Sequence, residues 1–363
     1  MISFIKSFFF FLCLIFRKIE IDVIFYYPHH FNRGSDGENV SFFHLYQSCK
    51  NNNLTYLVFE EPDFYSSQPR GKDPIPFDFV YLLIIFLRRF IKSDRMIGEF
   101  LSFTFLRRLK FNNYVSLSQS MLSVFRGLNS EAKFFDLQHG VIWPSKSSYF
   151  YKGIVSNNLR ENDVNLLLFG DGFQLIIKDS DKSNYLQSKS FVIGVPRIEN
   201  NIEHTFLNNK ILVSLQFTRD HTSFQNLKLA QELESYIKTY SNCTFYLRNH
   251  PRYNNEVDLS RFFKYNNVKK SNSSLMECIK ICSIHLTSYS TTTFELAYFG
   301  IPTVFLISLS DEFTEFRTDF NYPLENDLLL IKKNYKEFSE KVKKWEGRFY
   351  TNFDEKRFIS LLQ

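Results

Sequence analysis

Three stretches of this chain set proton-carrying or phosphate-binding side chains directly after apolar runs. "FFDLQHG" ends on Gln138, His139 and Gly140, and "TFYLRNHPR" on Arg248, Asn249, His250, Pro251 and Arg252. "IHLTSYSTTTFELAYFGIP" passes through Ser290, Thr291 and Thr292 to Glu295. An imidazole titrates near neutrality, so His139 could take a proton from a hydroxyl as general base, or bind phosphate. Gly140 would let a ligand approach the backbone. A hydrogen-bonded turn histidine accounts for the same residues.

Arg248 can bind phosphate bidentately, and His250 can donate to it. Pro251 biases His250 towards extended backbone, which aims its side chain outwards. The hydroxyls of Ser290, Thr291 and Thr292 beside the free amides of a helix start suit a phosphate or diphosphate, and Glu295 could accept from a ribose diol. The competing account is local: Thr292 and Glu295 have the spacing of a capping box, which needs no ligand.

Two further loops offer weaker candidates. Asp36 and Glu38 in "RGSDGEN" are alternative carboxylate bases, although turn and cap chemistry also explains them. Thr218 and Arg219, with His221, in "QFTRDHTS" could contact a donor phosphate. No metal site and no D-x-D motif are expected, and the sequence holds no Walker A loop, GxGxxG, HExxH or GxSxG.

The elements that must position these residues alternate. "IEIDVIFYYP" (19–28) reads as a first buried strand, followed by a polar loop, a helix over about 40–50 and a strand over 54–61. Residues 78–110 read as helical, and 114–117, 133–139, 164–171 and 190–196 as strands. After the polar segment 197–209 the alternation restarts: strands over 210–217, 243–251, 283–288 and 302–307, and helices over about 223–240, near 273–281, and from Ser290. Two such runs predict two doubly wound α/β domains, with ligands outside the carboxyl ends of their strands and so in the cleft between them. The expected division is an apolar segment 1–18, a first domain 19–196, a linker 197–209, a second domain 210–340 and a helical tail 341–363.

At 363 residues there is enough chain for two cores. The net charge of +6 is concentrated in part in "FLRRFIKSDR" (86–95) and "FLRRLKF" (105–111), where basic and bulky apolar residues alternate as on an anionic membrane surface or on two ordinary surface helices. No zinc-finger spacing or aromatic RNA-binding signature supports nucleic acid as a partner. Five cysteines without a CxxC pair imply no disulfide framework, so a reducing cytosol is the default. The apolar run Phe8–Phe16 is short of the roughly 20 residues that span a bilayer, which favours an interfacial or buried first helix, with a signal anchor as competitor.

Taken together, "LQHG", "LRNHP" and "SYSTTTFELAYFGIPTVF" resemble bacterial glycosyltransferases of the GT-B architecture in capsule, O-antigen and related surface-polysaccharide synthesis. Similar turns occur in capsule Kdo transferases and CDP-glycerol glycerophosphotransferases. The likeness covers about residues 133–307. It implies two Rossmann-like domains facing across a cleft, and inverting, metal-independent transfer of a sugar from a nucleotide-activated donor, which is a substrate and not a cofactor. It makes His139 the candidate base on the acceptor side. Arg248, His250 and Ser290 to Thr292 would meet donor phosphate, and Glu295 the ribose. The second domain departs from the pattern in lacking a Gly-rich turn after its first strand. A glycan or lipid-linked acceptor would put the protein in the cytoplasm, peripheral on the inner membrane. A CDP-polyol phosphotransferase, a nucleotide-sugar epimerase or a non-catalytic partner of a polysaccharide enzyme are the alternatives.

Overall fold

The computed structural model describes residues 2–32, 37–64, 69–197, 207–218, 221–250, 253, 255–271, 274–307, 318–323 and 327–363. The chain forms two compact units, residues 1–197 with 351–363, and residues 198–350.

Unit 1 opens with helix α1 (Ile2–Leu14) and strand β1 (Ile19–Pro28). Then come α2 (Phe43–Asn51), β2 (Tyr56–Glu61), β3 (Ile75–Pro76), α3 (Asp78–Leu87), α4 (Asp94–Phe103), β4 (Leu109–Leu117), α5 (Leu122–Leu128) and β5 (Lys133–Leu137). A small antiparallel hairpin, β6 (Phe150–Tyr151) and β7 (Ile154–Val155), precedes α6 (Asn157–Glu161), β8 (Val164–Leu168), α7 (Asp171–Ser180) and β9 (Ser190–Val192). The main sheet is parallel throughout, in the order β3-β2-β1-β4-β5-β8-β9. The order reverses between β1 and β4, and that reversal is where a doubly wound sheet opens a crevice at its carboxyl edge.

Unit 2 repeats the plan with β10 (Lys210–Ser214), α8 (Ser223–Thr239), β11 (Thr244–Arg248), α9 (Ser260–Phe263), β12 (Val268–Lys270), α10 (Leu275–Ile281), β13 (Ile284–Thr287), α11 (Thr292–Tyr298) and β14 (Thr303–Phe305). Its sheet, also all parallel, runs β12-β11-β10-β13-β14, so its switch point lies between β10 and β13. Helices α12 (Leu328–Lys333) and α13 (Tyr335–Phe349) close the unit, and α14 (Glu355–Leu362) returns to unit 1.

Strands β1, β5, β8, β10, β13 and β14 are buried almost throughout, which is why they read as apolar runs and not as alternating ones. Aromatic residues do most of the filling in unit 1, where Phe25, Tyr26, Phe59, Phe77, Tyr114 and Phe125 are fully buried. In unit 2 Phe294 of α11 stacks on Trp345 of α13 with ring centroids 4.5 Å apart, and the indole Nε1 donates to Phe320 O at 2.7 Å. This clamp fixes the helix that carries Glu295.

The structure redraws several expected elements. Residues 78–110 are two helices and the start of β4, not one helical stretch. Ser93 ends an extended link and caps α4 by accepting from Met96 N. The short edge strands β3 and β12 and the β6–β7 hairpin have too few residues to set a readable period. The expected tail 341–363 divides: α13 stays with unit 2, while 351–363 joins unit 1. Backbone bonds from Val195 N to Thr351 O and from Asp354 N to Ile193 O hold it there, and Phe358, Ile359 and Leu362 sink into the core beside Phe25 and Leu45. At Gly194 (φ +73°) a Cβ would meet Asn352 O at 2.2 Å, so this junction requires glycine.

Candidate functional site

In unit 1 the loop after β5 carries His139. Gln138 is buried, and its amide pins the loop: Nε2 donates to Gly140 O at 2.9 Å and Oε1 accepts from Phe169 N at 2.9 Å. That gives the side chain a structural task in the loop. Gly140 is at φ +65°, and a Cβ there would meet nothing within 4 Å, so the glycine answers to backbone conformation and not to crowding. His139 is half-buried, with its ring edge-on to Phe31 at 4.7 Å between centroids. Phe31 belongs to the turn after β1, so the β1 and β5 loops meet at the carboxyl edge of the sheet.

Asp36 lies outside the described residues. Glu38 is exposed on the same β1 loop and lines a pocket of about 220 Å³ with Tyr27, Phe43, Tyr46, Tyr56 and Lys72. Beside this pocket a buried carboxylate missed by the sequence reading, Glu60 at the end of β2, accepts from Asn32 Nδ2 and Gly71 N, both at 2.8 Å, and pairs with Arg70. Its signal was only an acidic pair closing an apolar strand.

In unit 2 the switch point between β10 and β13 is flanked by the loops holding Thr218, His221, Tyr289 and Ser290. His221 is buried, with Nδ1 3.1 Å from Asn226 Oδ1 and Nε2 2.7 Å from the Tyr289 hydroxyl. Thr218 is shut off from solvent, paired in a bridge with Tyr253, and its carbonyl accepts from Asn226 Nδ2 and His221 N. These bonds brace the loop. Arg219 and Arg252 lie outside the described residues. Beneath the loops His285 spans three strands, with ring nitrogens 2.8 Å from Ser214 Oγ and 2.9 Å from Thr303 Oγ1. Full burial pushes its pKa down to about 3, so it is a neutral bracing histidine.

The helix start differs from a capping box. Helix α11 begins at Thr292 without a side-chain cap on Thr291, and Ser290 Oγ accepts from Thr292 N at 3.3 Å and donates to Thr292 Oγ1 at 2.8 Å. Glu295 is therefore not spent on the backbone. Its residue is open to solvent, yet the protein packed about the carboxyl raises its pKa, and the charge of Arg248 at the end of β11 pulls it back down. Arg248 and His250 are both half-buried, and His250 O accepts from Tyr253 N at 3.0 Å. A guanidinium and an uncommitted carboxyl thus lie within electrostatic reach at one sheet edge, one suited to phosphate and the other to a diol.

Among the described residues no group of three or more His, Cys, Asp or Glu could hold a metal ion. The sequence does contain an Asp-x-Asp triplet that the sequence reading passed over, Asp179-Ser180-Asp181. Asp181 is buried and caps a turn, accepting from Ser183 N at 2.9 Å and Leu186 N at 2.7 Å.

No family model and no curated protein sequence matches the chain. Among solved structures it is similar to the wall teichoic acid polymerase TagF, at 13% identity and a TM-score of 0.51 over 94% of this chain and 87% of that one. It is similar also to UDP-GlcNAc 2-epimerase from Neisseria meningitidis bound to UDP-GlcNAc (10% identity, TM-score 0.53, 95% and 97% covered). The Methanocaldococcus jannaschii enzyme in complex with UDP-GlcNAc and UDP matches at 12% identity and a TM-score of 0.53, with 95% and 99% covered. At these identities the likeness is one of fold. The chain has the GT-B-type α/β fold of two Rossmann-like, doubly wound domains.

Proposed function

We propose that the chain is a glycosyltransferase that moves a sugar from a nucleotide-activated donor to a surface glycan or lipid-linked acceptor. The observation that carries this reading is the pairing of Arg248 with an uncommitted Glu295 at the carboxyl edge of the second sheet. Donor phosphate would lie on Arg248, His250 and the Ser290–Thr292 turn, with the ribose diol on Glu295. An acceptor hydroxyl would attack the anomeric carbon and pass its proton to His139 or Glu38, while the nucleotide leaves with its charge held by Arg248. Inversion and independence of metal are part of the same reading.

The partner reading extends to the membrane. Ile2, Ile5, Phe9 and Leu12 of α1, with Phe16 just beyond, follow three- and four-residue steps and are all exposed, while Ser7, Phe11 and Leu14 face the protein. Ser7 Oγ accepts from Phe79 N, and Phe11 packs on Phe59 and Phe77. Phe86, Phe90 and Phe103 are exposed as well. Residues 1–18 and 82–110 hold ten Lys and Arg against two Asp and Glu, a local +8 where the whole chain carries +6. No helix among the described residues is long and apolar enough to cross a membrane. An apolar stripe rimmed by cations fits an anionic lipid surface, where a lipid-linked acceptor would be found.

The second reading, nucleotide-sugar epimerisation, draws on the likeness to two epimerase structures along nearly their whole length. Transfer from CDP-linked polyols draws on the likeness to TagF, one of whose structures was soaked with CDPG. Thermal stabilisation across UDP, GDP, CDP, CMP and dTDP tests nucleotide binding, since a ligand at 100 times its Kd adds about 2.7 kcal/mol. Product analysis with donor alone, then with acceptor, separates epimerase from transferase. No shift with any nucleotide sets the enzyme reading aside.

A further inference from the structure

We propose that Asp136 is a positioning residue for the His139 loop, holding residues 138–149 from two sides through Gln119 and Lys146. The inference rests on the reading of His139 as a residue of the reacting site. Asp136 stands opposite Ser116 in the β4–β5 register and has no exposed surface. One carboxyl oxygen accepts from Ser116 Oγ at 2.7 Å and from Gln119 N at 2.6 Å, and the other is buried with no hydrogen-bond partner.

The first hold is the turn after β4. Ser118, Gln119 and Met121 sit at φ +63°, +56° and +50°, a region that non-glycine residues enter only when their surroundings compel it. The bond from Gln119 N to Asp136 fixes this turn. From there the Gln119 side chain reaches across, with Nε2 donating to Ser148 O at 2.8 Å and Oε1 accepting from Asn158 Nδ2 at 3.3 Å. The far end of the loop is thereby tied to Asp136 through one residue.

The second hold is charge. Lys146 Nζ donates to Val141 O at 2.7 Å, two residues beyond His139, and lies 5.0 Å from the Trp143 ring and 5.3 Å from the Tyr149 ring. Burial pushes the Lys146 ammonium down to about 8, and the Asp136 carboxylate pulls it back up. Burial likewise pushes Asp136 up to about 7, against the bonds from Ser116 and Gln119 and the Lys146 charge. The other titratable groups facing Asp136 are Tyr149 and Tyr114, both held neutral by burial. The two charges coexist most fully between about pH 7 and 8, where more than half of the acid is ionised and more than half of the amine is protonated.

The chain has two tryptophans, Trp143 in this loop and Trp345 in the core of unit 2, so a 5-fluorotryptophan-labelled full-length protein gives two 19F resonances. Trp143→Phe assigns them. The Trp143 resonance should move with pH through a midpoint near 7 while that of Trp345 stays still. In Asp136→Asn the carboxylate step should vanish, leaving only the titration of Lys146, moved to lower pH without the carboxylate that raises it, and the resonance should broaden. Gln119→Asn, which tolerates the left-handed backbone but withdraws the amide by one methylene, should broaden it with the midpoint kept. A folded Asp136→Asn with the parent spectrum and titration overturns the proposal, and so does an unaltered Gln119→Asn. If Asp136→Asn fails to fold, Lys146→Met takes its place: without the cation that lowers the Asp136 pKa the midpoint should rise above 7 and the resonance broaden, and an unmoved midpoint with the parent linewidth overturns the proposal. Where transfer is measurable, Asp136→Asn should lower kcat at least tenfold with donor KM unchanged. If the resonances behave as stated but His139→Ala leaves transfer intact, the functional reading fails and the positioning of the loop stands.

Discussion

The Tyr289 hydroxyl and His221 Nε2 lie 2.7 Å apart, joining the loops on either side of the switch point of the second sheet. This one bond ties the segment after β10 to the turn that presents Ser290. Tyr289→Phe keeps the ring packed and removes the hydroxyl, so nucleotide affinity should fall by the worth of one hydrogen bond, about 1 kcal/mol or roughly fivefold. Calorimetric titration with the preferred nucleotide checks it, and an unchanged Kd shows that the loops are held without this bond.

Arg248→Met should cost more. A lost charge-assisted contact to phosphate is worth about 1.5–3 kcal/mol, or roughly 10- to 100-fold in Kd. The same variant should raise the Glu295 pKa further, because burial then acts without the opposing cation. Carboxyl 13C titration reads this directly. A Glu295 titration that stays put in Arg248→Met shows that the two groups do not sense one another.

Stability should depend on pH through Asp136. Its folded pKa, about 7, lies above the unfolded carboxylate range, so the fold binds the proton more tightly than the unfolded chain. The contribution is present below about pH 4 and is lost as pH rises to 7. Tm should fall over that interval, and the fall should flatten in Asp136→Asn, as followed by circular dichroism melts. Superimposable Tm profiles for the two proteins refute the assignment.

Membrane docking predicts graded losses. Phe9→Ser with Phe16→Ser should weaken sedimentation with anionic vesicles on the order of a hundredfold or more, since each phenyl returned to water forfeits about 1.5–3 kcal/mol. Arg107→Glu with Arg108→Glu should weaken it as well, in a way that added salt reproduces, because each cation near headgroups is worth about 1 kcal/mol. Binding to neutral vesicles as tight as to anionic ones counts against the charged rim.

Mutation of His285 supplies a contrast among histidines. His285→Ala leaves Ser214 and Thr303 hydroxyls buried beside a cavity and should destabilise unit 2 by about 2–4 kcal/mol in a denaturant melt. Its nucleotide affinity, measured well below the melt, should follow stability alone. A selective loss of binding in a fully folded variant would give His285 a role beyond bracing.

The sequence by itself determined the two doubly wound sheets and the ends of their strands, because strands buried on both faces leave uninterrupted apolar runs and their carboxyl ends are marked by His139, Arg248 and Ser290. It also placed Glu295 in the first turn of a helix. Only the tertiary structure decided what each of these side chains is free to do. Gln138, chosen for residue type, is consumed by backbone partners and Thr218 is buried, whereas Glu295 is left off the backbone because its helix starts one residue too early for the capping box. The chain's return to unit 1 after residue 350, and the holds of Asp136 on Gln119 and Lys146, join segments far apart in sequence or through backbone at positive φ. Local periodicity reports which face of an element is apolar, but hydrogen-bond commitment and pKa depend on neighbours brought near by packing, and those are set by the whole fold.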